Sequence, residues 1–337
     1  MNATQAQSLT QKTLLLNLTL GRVGNRKKVR KSEVNVTAKS YDGDGLEDLP
    51  ETSEPNIDQD MLHVSKDLLD SPELVAIGKH MGKVRRFAQG AALPTSTLKS
   101  GMYMVPISSV LHVDRKLEEY KTELRNLVDA FCRVYPEKVQ ESVERLGALA
   151  NLLDYPPEDK IREHFKIEWQ YLTLEAPRDA LGSVSIELLR REEQKIQAHM
   201  VGAVDQIQLA FAKSFQELVE RLMEKLRPAN GKQKKVTERA VEEFNVFFDM
   251  FTAKNVTGDG ELAAIIQRAR DLVNGATPDE MNGNKEIKDL IATQMDSIKN
   301  TIDSLVVDRG GRRVILIPNE QPVSVGSQSQ EGGMDAY

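Results

Sequence analysis

An α+β fold, dominated by long α-helices with a small mixed β-sheet, follows from three observations in this 337-residue chain. Three long stretches keep helical periodicity without interruption, aromatics make up only 5% of the residues, and charged residues make up 28%. That composition suits helices with solvated faces better than a β-sandwich. The strand signal is confined to a few short segments, among them Leu14, Leu16, Leu18 and Leu20, which alternate with Leu15, Asn17 and Thr19 in the period of a half-buried strand.

Taken in order, a polar leader precedes this first strand, and Val34, Val36 and Ala38 predict a second. Residues 1–40 therefore read as an N-terminal strand hairpin. Its connection is basic, with Arg22, Arg26, Lys27, Lys28, Arg30 and Lys31 set among the turn formers Gly21, Gly24 and Asn25. Residues 41–60 hold eight acidic residues, no Lys or Arg, and two Asp-Gly pairs, too little apolar surface to order a segment by burial. A disordered acidic loop is expected there.

Residues 61–182 form a helical and β core by pattern. Ser65 opens a helical periodicity through Leu68, Leu74, Ile77, Met81, Val84 and Phe87, which Pro94 ends, and Gly101–Ile107 is extended. Val110, Val113, Leu117, Tyr120, Leu124, Leu127 and Phe131 then follow the three-four spacing of a heptad seam, which must be buried against another helix. Pro136 is expected to interrupt that helix. A short helix at Glu158–His164 leads to a strand over Ile167–Leu174.

Residues 183–308 predict a long-helix bundle. In its first helix Met200, Phe211 and Leu222, and likewise Val204, Phe215 and Leu226, recur every eleven residues, the period of a nearly straight helix. Met200, Val204, Ile207, Phe211, Phe215, Leu218 and Leu222 are thus the candidate helix-interface residues, packing within the subunit or against a partner such as a second copy. Pro228, Asn230 and Gly231 break the helix beside Lys232, Lys234 and Lys235, and Val236–Lys254 follows with Phe244, Phe247, Phe248 and Phe251 as core anchors. Helices at Glu261–Val273 and Lys285–Val307 close the bundle. A C-terminal strand over 309–320, centred on Val314–Ile317, and a disordered tail over 321–337 complete the reading.

Gly78–Lys83 has neither the spacing nor the strand-to-helix context of a phosphate-binding loop. Calcium-loop registers starting at Asp42 or Asn255 place Leu46 and Ile266 where ligands belong. The five histidines stand singly, with no i, i+4 partner, and no Gly-x-Ser-x-Gly elbow exists. The expectation is a non-enzymatic protein with no cofactor and no metal.

A net charge of −6 argues against overall nucleic-acid affinity, although local phosphate contact through Arg22–Lys31, Lys232–Lys235 or Arg309, Arg312 and Arg313 stays open. Nucleic acid is accordingly a secondary partner, and a DNA-associated phage or plasmid protein is the alternative reading. Cys132, the lone cysteine, and the lack of a long apolar run point to the cytoplasm, with no membrane partner.

Leu68–Leu69–Asp70–Ser71–Pro72–Glu73–Leu74, Arg85–Arg86, Ala92–Leu93–Pro94 and Gly101–Met102–Tyr103–Met104–Val105–Pro106–Ile107 resemble a bacterial and phage domain family of unknown function. Tyr135–Pro136, Arg145–Leu146–Gly147, Asp154–Tyr155–Pro156, Ile161–Arg162 and Phe165 continue the likeness, which spans roughly Thr13 to Ile317. Such genes lie near MoxR-type or cobaltochelatase-like AAA+ ATPases. The resemblance implies an adaptor, substrate or scaffold for such an ATPase, and supplies no catalytic residues.

Overall fold

The computed structural model describes residues 2–30, 63–95, 98–227 and 235–311. The expected strand Val34–Ala38, the acidic loop 41–60, Lys31, Lys232, Lys234, Arg312, Arg313, the strand Val314–Ile317 and the tail 321–337 lie outside them. The chain divides into two compact units, one of residues 1–207 and 251–258, the other of 208–250 and 259–337. The division falls inside a long helix, later than the boundary at 183 that periodicity suggested.

The first unit is built on a three-stranded sheet. Its central strand β1 (Thr13–Gly21) pairs antiparallel with β4 (Met102–Pro106) on one side and β5 (Lys166–Leu172) on the other. A second sheet pairs β2 (Arg26–Lys28) with β3 (Ser65–Asp67), also antiparallel. Where a mixed sheet was expected, all pairing among the described residues is antiparallel.

The leader is helical rather than irregular: α1 (Asn2–Lys12) buries Ala6 and Leu9, three residues apart on one face.

Leu16 and Leu18 of β1 enter a core formed with α2 (Pro72–Ala91) and α3 (Val110–Leu146). Ser65 belongs to β3, not to α2. The helix begins only at Pro72, because Ser71 is a true cap whose hydroxyl accepts from Leu74 N at 3.2 Å and Pro72 has no N–H to satisfy. The heptad seam packs within the chain: Val113, Leu117, Tyr120, Leu124 and Phe131 are buried, with Val110 and Leu127 partly so.

Pro136 does not interrupt α3, which runs unbroken to Leu146. The proline faces solvent, while Phe131 and Tyr135 stay in the core and Tyr135 Oη donates to Pro156 O at 2.7 Å, so packing on either side outweighs one lost ladder bond. Gly101 links into β4 with φ +89°, and a side chain there would press on Leu18 O at 3.1 Å.

Beyond β5 come α4 (Arg178–Val184) and then α5 (Ile186–Leu226), so the long helix opens after Ser185 rather than at Ser183. The second unit holds the rest of α5, most of α6 (Glu238–Lys254), α7 (Gly260–Asn274), α8 (Pro278–Gly283) and α9 (Lys285–Gly311). Helix α8 passed unnoticed in the sequence; a full capping box between Thr277 and Glu280 starts it. Phe215 stacks on Phe247 with centroids 5.5 Å apart and meets Phe244 edge-on.

Arg309 is expected from the sequence to be open to phosphate and to start a C-terminal strand. It is helical and buried. Its guanidinium forks onto Asp259, with Nη1 to Oδ2 at 2.6 Å and Nη2 to Oδ1 at 3.0 Å, and also reaches Gln208 O at 3.2 Å.

Candidate partner-binding surface

The predicted basic connection splits into two places. Val23 is buried, which turns Arg22 outward along α2: its Nη1 lies 3.9 Å from where a β-carbon on Gly78 would stand. Asn25 then ties the chain to the start of α2, its side chain donating to Leu69 O and accepting from Leu69 N, both at 2.8 Å. That clamp sets the register of β2 on β3, with Arg26 opposite Asp67, Lys27 opposite Lys66, and Lys28 opposite Ser65.

Arg26 is paired with Asp67 at 3.1 Å in full solvent, a contact worth under about 1 kcal/mol. Lys27, Lys28 and Arg30 are exposed. A lysine directly across from Lys27 is unfavourable by itself. Lys66 resolves this by turning into the loop after α3, where its ammonium meets Asp154 Oδ2 at 2.8 Å and donates to Leu149 O at 2.6 Å.

That loop is anchored on both sides. Asn151 caps its short turn by accepting from Leu153 N at 3.0 Å, and Tyr155 Oη lies 2.8 Å from Ser142 Oγ, which in turn donates to Leu68 O. Burial pushes the Tyr135 phenol, bonded to Pro156 O, up to about 12. Between these anchors Leu152 and Leu153 stand 69% and 92% exposed.

A loop held this firmly normally uses its apolar residues for the core. Here both leucines are exposed instead, on the loop that Lys66 of β3, the partner strand of β2, reaches. Periodicity passes over them, because they fall between α3 and the stop formed by Tyr155–Pro156–Pro157. A consecutive apolar pair just before such a stop was the available signal.

The seven helix-interface candidates lie elsewhere. Met200, Val204 and Ile207 are buried in the first unit, and Phe211, Phe215, Leu218 and Leu222 in the second, all within the single chain. Half-buried Cys132 packs against the core of the first unit, and burial raises its thiol pKa. Lys254 is held by the carbonyls of Gly90 and Ala92, at the C-terminal end of α2, and burial lowers its pKa. Among the described residues no three His, Cys, Asp or Glu side chains gather as metal ligands, and no helix is long and apolar enough to cross a membrane.

Fold and surface together define a helix-dominated α+β protein whose first unit carries a cationic strand pair and an apolar loop tip. The chain belongs to the family described as Protein of unknown function (DUF3150), whose model matches residues 54–252, more than half of its length. This match is narrower than the span of the motifs, and it includes α2, α3 and the loop tip. No curated protein and no solved structure matches the chain.

Proposed function

We propose that this protein is a non-enzymatic adaptor, substrate or scaffold that docks a protein partner through the Leu152–Leu153 tip and the neighbouring strand β2. The partner suggested by the motif resemblance is a MoxR-type AAA+ ATPase of a phage or plasmid system. The observation that carries the docking reading is the exposure of both leucines on a loop fixed by Lys66, Asn151 and Tyr155. A pre-ordered tip loses little entropy on binding. Fully covering two leucines is worth roughly 3–6 kcal/mol, at about 1.5–3 kcal/mol each.

The test is a pull-down of the tagged full chain from its native host, with and without nuclease, read by mass spectrometry, beside the variant L152S/L153S. An AAA+ ATPase retained by the wild type in both halves and lost by the variant supports the reading. Retention that requires intact nucleic acid, or equal capture by the variant, overturns it.

A further inference from the structure

Helix α2 is charged on one side only. From Val75 to Ala91 it carries Lys79, Lys83, Arg85 and Arg86 and no Asp or Glu. Its buried side is Ile77, His80, Met81, Val84 and Ala88, which leaves Lys79 and Arg86 exposed on the opposite side and Arg85 exposed on the flank that also carries Gly78. Lys83, at the border, is balanced by Glu123 Oε2 at 3.5 Å. Arg22 adds a further guanidinium from outside the helix, laid alongside Gly78, while Arg86 Nη1 lies 3.5 Å from the β-carbon position of Gly82, one turn on. Among the described residues no carboxylate pairs with Arg22, Lys79, Arg85 or Arg86.

We infer that this strip binds the phosphate backbone of duplex nucleic acid, without reading sequence. Four cations drawn from two separate segments meet on one face, in a chain whose net charge is −6. The repulsion from that net charge is screened beyond about 10 Å at 0.1 M salt, so the local field decides contact. Lys79 and Arg86 are two turns apart, about 10 Å along the helix. That matches about three phosphate steps of one strand at about 3.4 Å of axis each. The exposed strip offers no aromatic ring, which favours backbone contact on a duplex over base stacking on a single strand.

Four phosphate contacts predict a log–log salt slope of about −3.6, or about 150-fold weaker binding between 50 and 200 mM salt. The experiment is fluorescence anisotropy of a labelled 20-base-pair duplex with the full chain across that range. It is repeated with K79A/R86A, with K213A as a control in the second unit, and with labelled polyglutamate as probe. Alanine favours helix, so K79A/R86A should keep its circular-dichroism melt. The expected result is a slope roughly halved by K79A/R86A and unchanged by K213A or L152S/L153S, the last separating this strip from the docking tip. Absence of duplex binding at 50 mM salt, a slope that K79A/R86A leaves intact, or tighter binding of polyglutamate than of the duplex would each overturn the inference.

Discussion

Replacing Arg309 with Met should be among the most damaging single changes in the second unit. Arg309 and Asp259 are 8% and 5% exposed and joined by two near-parallel hydrogen bonds. Each also sits where a helix favours its charge, Arg309 in the last turn of α9 and Asp259 as the cap of α7, accepting from Leu262 N at 3.1 Å. Removing the guanidinium takes two charged hydrogen bonds from the buried Asp259 carboxylate and one of the donors from Gln208 O. Breaking such a pair from one side costs about 3–5 kcal/mol. Methionine fills the volume, so the loss is electrostatic rather than a cavity.

The companion R309M/D259N removes the stranded charge while keeping a good cap, since Asn caps about as well as Asp. It should recover most of the loss. Urea denaturation followed by circular dichroism gives the size, and peptide-resolved hydrogen exchange over α7 and α9 gives the place. A cost below about 1 kcal/mol for R309M, or a double variant no better than the single, would refute the reasoning.

Two further outcomes follow from packing and burial. Phe215→Ala empties the ring contacts with Phe244 and Phe247 and should destabilise the second unit by about 3–5 kcal/mol, seen as a lower urea midpoint; a change under about 1 kcal/mol would mean the seam is not core. Tyr135 titrates near 10 when unfolded and at about 12 in the fold, so the folded chain holds a proton that the unfolded chain releases between these values. Its contribution is therefore complete below pH 10 and lost as pH rises toward 12. Melts of wild type and Y135F between pH 9 and 11 should converge as pH rises, and a constant difference would contradict the assignment.

Much of the architecture was legible because it rests on periodicity. The alternation of Leu14–Leu20 yields β1, the three-four spacing from Val110 to Phe131 yields α3, and the phenylalanines of α6 are buried as anchors. Errors arose where one local rule met several tertiary contacts. Pro136 sits inside an unbroken helix because packing on both sides holds it, and the polar leader becomes α1 with Ala6 and Leu9 buried on one face.

The sequence by itself determined the long helices, the strand β1 and which of their faces are apolar, since these depend on spacing along the chain. Only the tertiary structure decided where charge and exposure fall. It placed Arg22 along α2, buried Arg309 against Asp259, sent Lys66 to Asp154, and left Leu152 and Leu153 in solvent. The first three outcomes depend on partners 50 to 88 positions apart, and a charge or a leucine looks the same in sequence whether its partner arrives or not.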